Sequence, residues 1–272
     1  MIKAPTTGSV QAALGTVGPG TTVLAVHAHP DDETWANGAA LSMLSDRGCT
    51  VLLRVASGGE ASEPGYGEDT ARARRAQRLT KVCRALGIRH WSWLQEGRWI
   101  DTAGRPSPRS LTNARVEELA TQVALHMEHI APDIVLTVGA DGLTGHPDHI
   151  LIHQAARSAV RQTGLPVRMF GAHLLEDDVA RGHELLKPLL GGRTAGSGRC
   201  TGSAPDALIH TLTATPRAAQ ARRTALDHYK IGLGTKSLAE LVATSSGPGD
   251  SLLLRAVYDA IGWGTERYCA YD

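Results

Sequence analysis

The segment "VLAVHAHPDDETWANGAA" (residues 23–40) joins an apolar run to a polar turn and then to a helical pattern. The apolar run is short and ends just before Pro30, as is typical of a buried β-strand. The residues after the turn keep helical spacing up to Gly48, a glycine suited to the end of a helix. Two adjacent carboxylates, Asp31 and Asp32, lie in the turn. Because buried negative charges are costly unless a positive group binds them, the turn predicts a cation site.

The alternation of strand and helix continues along the first half of the chain. Strands are predicted at Thr22–His29, Thr50–Ser57, Ile88–Leu94 and Pro132–Val138. Helical patterns separate them, over residues 33–48, 70–87 and 111–130. Strands and helices in this order form right-handed crossovers, which build a parallel sheet covered by helices on both faces. We therefore predict an α/β fold with a Rossmann-like, mostly parallel sheet.

The second half of the chain has weaker patterns. Further strands and helices are predicted at 166–175, 206–213, 216–231 and 251–261. The segment "LLGGRTAGSGRCTGSAP" (189–205) is rich in glycine and serine, which is typical of a loop. We expect a Rossmann-like catalytic core over residues 1–165. A smaller, loop-rich α+β portion over residues 166–272 is expected to pack on this core and shape the substrate cleft.

The composition is that of an ordinary globular protein and argues against several classes of partner. Of the 272 residues, 42% are hydrophobic and 20% are charged, and the formal net charge is +1. Because no basic cluster is present and aromatic residues make up only 4%, the sequence predicts no nucleic-acid partner. No apolar run approaches the roughly 18 residues of a membrane span, and the first residues lack the apolar segment of a signal peptide. We expect a cytoplasmic protein, and the oligomeric state is left open.

The cysteines lack the short spacing of a structural zinc site. They are Cys49, Cys83, Cys200 and Cys269. Cys49 and Cys83 fall within predicted elements and are interpreted as small core residues. A disulfide between Cys200 and Cys269 is an open alternative, because sequence spacing does not establish a pair.

A second group of metal-binding side chains follows the fourth predicted strand, in "GADGLTGHPDH" (139–149). The carboxyl ends of parallel strands meet at one edge of a sheet, where ligands bind. Two groups should therefore come together there: His29, Asp31 and Asp32 from the first motif, and His146, Asp148 and His149 from the second. Imidazoles and carboxylates suit zinc, with iron, cobalt and nickel as alternatives, and the lack of cysteine favours a catalytic centre. One His-Pro-Asp turn is more often a helix cap, but two at neighbouring strand ends favour a metal site.

"AHPDDE" (28–33) together with "GHPDH" (145–149) resembles the LmbE-like, or PIG-L, family of zinc-dependent N-acetylglucosamine deacetylases. The resemblance extends over about residues 22–159 and includes "SGGE" (57–60) and the arginine-rich helix after it. The family includes the mycothiol-pathway deacetylase and amidase, and deacetylases of glycopeptide-antibiotic precursors. The resemblance implies one zinc ion per chain and hydrolysis of a linear amide.

The resemblance also implies a role for each matching residue. It makes three of them the zinc ligands: His29, Asp32 and His149. Asp31 corresponds to the general base, His146 to the histidine that polarises the amide and assists the leaving amine, and Asp148 to the residue that orients this histidine. The chemistry agrees with these roles, because zinc lowers the pKa of bound water towards ~7 and a neighbouring carboxylate can accept the proton. A cationic imidazole can stabilise the oxyanion.

Four further residues are expected to contact the substrate: Glu60, Arg72, Trp99 and Thr144. Glu60 and Arg72 either reach sugar hydroxyls from the loop after the second strand or form part of a solvated face. Trp99 either stacks on a sugar ring or anchors its loop, and anchoring is slightly favoured. Thr144 comes directly before Gly145 of the second motif. In mycothiol-pathway members of the family, a different side chain at this position assists the oxyanion.

Two positions depart from the family pattern. Mycothiol-pathway members carry a tyrosine in "YGHPDH", where it assists the oxyanion, and this chain has Thr144 there. Their usual acidic residue, three positions after Arg74, is Gln77 here. The missing tyrosine argues against a mycothiol substrate, and the loop-rich C-terminal third favours a bulky aglycone.

We expect a metal-dependent hydrolase that removes the acetyl group from an N-acetylglucosaminyl moiety of a small glycosylated metabolite. The favoured substrate is a glycopeptide-antibiotic precursor of the pseudoaglycone type. One alternative is a mycothiol-pathway deacetylase or mycothiol-conjugate amidase. The other is a metal-dependent sugar-binding module without turnover.

Overall fold

The computed structural model describes residues 10–102, 104–206, 208–245 and 247–271. The strands are β1 Thr22–His27, β2 Thr50–Val55, β3 His90–Trp93, β4 Ile134–Val138, β5 Arg168–His173, β6 Ile209–Thr213 and β7 Thr265–Tyr271. The helices are α1 Val10–Gly15, α2 Asp32–Asp46, α3 Glu68–Leu86, α4 Val116–Ile130, α5 Gly142–Gly145, α6 Pro147–Thr163, α7 Glu176–Leu186, α8 Pro216–Tyr229, α9 Leu238–Thr244 and α10 Asp250–Ile261. Each strand and long helix predicted in the first half is therefore present, with ends shifted by a few residues.

The strands form a sheet in the order β3-β2-β1-β4-β5-β7-β6. β1 pairs in parallel with β2 on one side and with β4 on the other. β3 and β5 extend the parallel part outward from these neighbours. The strand order therefore changes direction between β1 and β4, and such a switch point opens a crevice at the carboxyl ends of the strands. The two sequence motifs lie at this crevice, because one follows β1 and the other follows β4.

β7 is a strand that the sequence patterns did not predict. It runs antiparallel between β5 and β6, so the last strands continue the same sheet. Polar residues interrupt its pattern, but tertiary partners satisfy them. Glu266 accepts hydrogen bonds from the backbone nitrogens of Ala39 and Ala40, and Arg267 pairs with Asp178. The predicted α/β fold with a mostly parallel sheet is confirmed, and the division at residue 165 stays a prediction.

Five helices also lay outside the predicted helical ranges: α1, α5, α6, α7 and α9. The helix predicted from residue 111 begins as a short 3-10 turn, Leu111–Asn113, and the α-helix itself starts at Val116. Local signals for two of the missed helices exist. Ser237 and Glu240 form a capping box at the start of α9, and acidic residues occupy the first turn of α7.

The cysteines do not pair. All four are free, including Cys200 and Cys269, and Cys49 and Cys83 are buried as predicted for core residues. Among the described residues, no helix combines the length and the hydropathy needed to span a bilayer. The expectation of a missing signal peptide concerns in part residues 1–9, which lie outside the described residues.

Candidate metal centre and active site

The first motif forms a tight turn between β1 and α2. Asp31 adopts a left-handed backbone conformation (φ 105°), which is uncommon for a residue other than glycine. The backbone nitrogen of Asp31 donates a hydrogen bond to Glu33, and that of His29 donates to the Asp32 carboxylate at 2.8 Å. Pro30 removes one further torsion from the turn. The carboxylates of Asp31 and Asp32 are consequently fixed in different directions.

The second motif begins α6. Pro147 occupies the first turn of this helix, where its missing N–H costs nothing. His146 caps the helix, because its Nδ1 accepts a hydrogen bond from the backbone nitrogen of Asp148 at 3.2 Å. His149 follows on the same turn, and its Nδ1 donates to the carbonyl oxygen of Gly142 at 3.0 Å. A carbonyl only accepts, so the proton of a neutral His149 lies on Nδ1, and Nε2 keeps its lone pair.

The structure brings the three predicted metal ligands together. Nε2 of His149 lies 3.1 Å from a carboxylate oxygen of Asp32 and 3.3 Å from Nδ1 of His29. Nδ1 of His29 lies 3.6 Å from the other oxygen of Asp32. Two imidazole nitrogens and a carboxylate therefore point into one small volume, as a three-ligand zinc site requires. The assignment of these residues as ligands stays a prediction that this convergence supports.

The electrostatics of this cluster favour a bound cation. Burial opposes a charge on His29, but the hydrogen bond to Asp148 and the charge of Asp32 outweigh burial and raise the pKa of His29 to about 10. Burial likewise opposes the charge of Asp32, yet His149 and His29 hold the pKa of Asp32 well below its usual value. A cluster that attracts a proton so strongly also suits a divalent cation, so the donor set fits zinc.

Asp31 lies beside the ligand cluster, with its carboxylate turned towards α3. Nη2 of Arg75 lies 3.3 Å from the Asp31 carboxylate and also donates to the carbonyl oxygen of Pro30. Burial raises the pKa of Asp31, although the charge of Arg75 opposes this shift. A carboxylate with a raised pKa next to a metal centre suits the role of proton acceptor that the resemblance implies.

His146 and Asp148, at the start of α6, both lie against His29. The His146 ring is 5.3 Å from that of His29 and 4.8 Å from that of His149. Burial and these two imidazoles lower the pKa of His146 to about 4, so the free protein holds it neutral, whereas the oxyanion role was expected of a cation. Its Nδ1 accepts a hydrogen bond, which leaves the ring proton on Nε2.

The expected pairing of Asp148 with His146 is wrong in its side-chain part. The Asp148 carboxylate contacts Nε2 of His29 at 3.1 Å and accepts a hydrogen bond from the Thr112 hydroxyl at 2.6 Å. Only the backbone nitrogen of Asp148 bonds to His146. Asp148 therefore orients the predicted ligand His29, because Thr112 and α6 fix the position of its carboxylate.

A cleft of about 420 Å³ opens next to this cluster. His146, Asp148 and Thr112 line one side, and Asp101 and Arg199 line it from the loops before α4 and after α7. The cleft gives a small polar molecule access to His146. One residue of the C-terminal part of the chain, Arg199, thus contributes to its wall.

The four predicted substrate contacts lie outside the lining of this cleft in the part of the chain that the structure describes. Glu60 accepts hydrogen bonds from the backbone nitrogens of Asp101 and Gly58, so it supports the loop that carries Asp101. Arg72 pairs with Asp69 and lies 3.9 Å from Glu60. Trp99 is 1% exposed and has no face for a sugar, so its ring anchors the loop. Thr144 is 5% exposed within α5.

Sequence reasoning missed several residues that support the two motifs or line the cleft. Arg75 carried a usable signal, since it lies on the arginine-rich helix that the motif resemblance includes. Asp101 follows Trp99 closely on the same loop. Arg199 had no signal, because its segment showed only the composition of a loop. Thr112 had no signal either, because the sequence around a threonine does not indicate its hydrogen-bond partner.

A family model described as PIG-L, GlcNAc-PI de-N-acetylase, matches residues 24–160 of this chain. The chain is 30% identical over 241 residues to a 1D-myo-inositol 2-acetamido-2-deoxy-alpha-D-glucopyranoside deacetylase of Actinosynnema mirum, covering 80% of this chain and 85% of the relative. It is 36% identical over 154 residues to the deacetylase of the same name from Nocardiopsis dassonvillei, covering 51% of this chain and 55% of the relative. The chain spans about half the length of most of the curated relatives that it matches.

The fold resembles that of the zinc-inhibited form of teicoplanin deacetylase Orf2, with a TM-score of 0.61 and 18% sequence identity. This likeness covers 92% of the present chain and 97% of the other. It therefore extends through the C-terminal part, where the sequence patterns were weak.

Proposed function

Because this chain belongs to the PIG-L family of de-N-acetylases, we propose that it is a metal-dependent hydrolase that removes the acetyl group from an N-acetylglucosaminyl moiety. The observation that carries the proposal is the convergence of His29, Asp32 and His149 within 3.1–3.6 Å of one another. Two flanking groups lie next to this convergence: Asp31 precedes Asp32 in the chain, and the His146 ring lies 5.3 Å from that of His29. A sugar-binding module without turnover would need the three ligands, but it would need neither flanking group.

The flanking residues supply the proton transfers of amide hydrolysis. His29, Asp32 and His149 would hold a zinc ion, which would supply a water with a pKa of ~7 and a positive charge for the amide carbonyl. Asp31 accepts the proton of the attacking water, and Arg75 holds its carboxylate beside the cluster. His146, neutral and protonated on Nε2, donates a hydrogen bond to the oxygen that becomes negative. Asp148 keeps the ring of His29 in place through its contact with Nε2.

The names of the curated relatives support an inositol glycoside of N-acetylglucosamine as the substrate. A glycopeptide-antibiotic precursor, expected from Thr144 and the loop-rich C-terminal part, has weaker support. The likeness to teicoplanin deacetylase, at 18% identity, is a likeness of fold. We therefore place the inositol glycoside first and keep the glycopeptide precursor as the second candidate.

The test measures acetate release by the zinc-loaded protein from 1D-myo-inositol 2-acetamido-2-deoxy-alpha-D-glucopyranoside and from an N-acetylglucosaminyl glycopeptide. We expect faster release from the inositol glycoside and about one zinc ion per chain. Release from neither compound, by protein that holds its zinc, would contradict the proposed activity. Faster release from the glycopeptide would reverse the order of the two candidates, and cleavage of a cysteinyl amide instead would favour the amidase alternative.

The variant D31N tests the base. We expect acetate release to fall by about 10²–10⁴-fold while the zinc content is unchanged, because asparagine cannot accept the proton. The matched control is D133N, which alters a carboxylate that accepts a hydrogen bond from the Thr22 backbone at the opposite end of β1. Normal turnover by D31N would reject the assignment of Asp31 as the base.

A further inference from the structure

The orientation of the His149 ring depends on one backbone carbonyl. Nδ1 of His149 donates to the carbonyl oxygen of Gly142, and this bond turns Nε2 towards Asp32. Gly142 lies in the turn between β4 and α6, residues 139–145. Anything that fixes this turn therefore also fixes the position of Nε2.

The turn has a backbone conformation that needs support. Gly142, Leu143 and Gly145 all have positive φ, at 70°, 64° and 68°. Leucine adopts this conformation rarely, because its Cβ crowds the backbone, and such strain persists only where the surroundings hold it. A Cβ on Gly142 would lie 3.1 Å from the Cβ of His149 and 3.0 Å from the backbone nitrogen of Ile150, so Gly142 is packed directly against the first turn of α6.

The side chain of Asp141 holds the turn. One of its oxygens accepts a hydrogen bond from the backbone nitrogen of Leu143 at 3.0 Å. The other accepts from the Ser203 hydroxyl at 2.7 Å and faces Nδ1 of His173 at 3.3 Å. Nε2 of His173 in turn contacts the Tyr271 hydroxyl at 2.8 Å. We call Asp141, His173, Ser203 and Tyr271 the Asp141 cluster.

The hydrogen bonds of the Asp141 cluster have a consistent direction. Burial opposes the charge of Asp141, but the hydrogen bond with His173 keeps the pKa of this carboxyl below its usual value. An ionised carboxylate only accepts, so Nδ1 of His173 donates to it. In the tautomer with its proton on Nδ1, Nε2 of His173 accepts from the Tyr271 hydroxyl, whose oxygen also accepts from the backbone nitrogen of Ala140 at 3.1 Å. The cluster thus holds the turn through hydrogen bonds from two backbone nitrogens, those of Ala140 and Leu143.

The other members of the Asp141 cluster come from three separate segments of the C-terminal part of the chain. His173 ends β5, Ser203 lies in the glycine-rich loop, and Tyr271 ends β7. The packing against the turn is close, since a Cβ on Gly139 would lie 2.3 Å from Nε2 of His173. The C-terminal part therefore reaches the metal centre through its contacts with this turn as well as lining the cleft.

We propose that Asp141 is a positioning residue for the metal centre: the Asp141 cluster fixes the Gly142 carbonyl and thereby directs Nε2 of His149 towards the metal. This inference rests on the proposed function, because it takes His149 as a ligand. The hydrogen-bond partners of metal-binding histidines typically change metal affinity by about 10–100-fold.

The test compares zinc and cobalt affinities, measured by competition with a chelator, in the wild type, D141A and D133A. D133A is the matched control, because it also removes a carboxylate that accepts a hydrogen bond from a backbone nitrogen, at the far end of the sheet. We expect D141A to bind zinc about 10–100-fold more weakly and to change the visible absorption of bound cobalt. D133A should change the zinc affinity by less than about threefold, even where urea unfolding shows a similar loss of stability. D141N, which can still accept from Leu143, should bind with intermediate affinity.

Unchanged zinc affinity and an unchanged cobalt spectrum in D141A would overturn the positioning role. Equal losses in D141A and D133A would overturn it as well, because the effect would then follow stability alone. If D141A fails to fold, S203A and Y271F take its place. S203A removes the hydroxyl that donates to Asp141, and Y271F removes the hydroxyl that contacts His173 and accepts from Ala140. Both should weaken zinc binding by a few fold, and wild-type affinity in both would refute the inference. A wild-type protein that binds no zinc would contradict the proposed function itself.

Discussion

Replacement of Arg75 by methionine removes the cation that faces the Asp31 carboxylate. Arg75 has a side chain that is only 4% exposed, and its Nη2 lies 3.3 Å from Asp31. It also donates to the carbonyl of Pro30 and lies 5.2 Å from the centre of the Tyr229 ring. Methionine keeps an unbranched apolar side chain on α3, so R75M chiefly deletes the charge and its hydrogen bonds.

The expected magnitude follows from the separation of the charges. Two unit charges 3.3 Å apart interact by about 5 kcal/mol at an effective dielectric constant of about 20. The Asp31 side chain is 25% exposed, so water screens part of this energy. We expect a coupling free energy of about 2–3 kcal/mol between Arg75 and Asp31. The partner variant is D31N, because asparagine tolerates the left-handed backbone at this position and removes only the charge.

The assay is urea unfolding of the metal-free protein at pH 7 for the wild type, D31N, R75M and the double variant. R75M should destabilise the wild type by about 2–3 kcal/mol more than it destabilises D31N, because D31N has no carboxylate that the loss of Arg75 would leave unpaired. The lost bond to Pro30 is common to both comparisons and cancels. A coupling below about 0.5 kcal/mol would refute the reasoning that Arg75 balances the charge of Asp31.

Three further predictions concern stability. R222M should lower the free energy of unfolding in urea by about 3–5 kcal/mol, because the fully buried Arg222 donates to carbonyls in the first turn of α2 and lies near Glu266. R217M, which breaks an exposed pair on the same helix, should cost at most about 1 kcal/mol, and equal losses would contradict the argument. Burial opposes the charge of Glu63, but Arg74 and Arg78 lower its pKa below the ordinary 4.5, so its contribution is complete above pH 4.5 and is lost as the pH falls through the folded value. The stability difference between E63Q and the wild type should therefore shrink in acid, and a difference that grows there would contradict the assigned direction. Zinc at 100 times its Kd should stabilise the wild type by about 2.7 kcal/mol and raise its Tm, and a chelator should return the Tm to its metal-free value. The same rise in Tm for H149A would contradict the ligand assignment.

Three parallel strands, β1, β2 and β4, were predictable because each contains a short apolar run that the sheet buries. Nearly every residue of β1 and β4 is buried, which is typical of a strand covered on both faces of the sheet. β7 was not predictable in this way. Its Glu266 and Arg267 are charged, and the backbone nitrogens and the carboxylate that satisfy them come from distant segments. The ring of Trp99 was likewise ambiguous until the structure showed it buried.

The candidate site was predictable in its membership more than in its contacts. The chemistry of His29, Asp32 and His149 predicted a shared cation, and the strand order brings the three residues together. The contact of the Asp148 carboxylate with His29 was not predictable, since the resemblance assigned Asp148 to His146 and only packing brings His29 next to it. The ion pair between Arg75 and Asp31 joins two elements whose angle only packing sets.

The order of residues along the chain was enough to determine which groups meet at the carboxyl edge of the sheet. Short apolar runs that alternate with helical patterns predict parallel strands, and the turns that follow parallel strands lie at one edge of the sheet. Tertiary structure alone decided how each of those groups is oriented, protonated and supported. The Asp141 cluster shows the reason: its members come from β5, a loop and β7, and hydrogen bonds act over about 3 Å, so they exist only after these segments have packed.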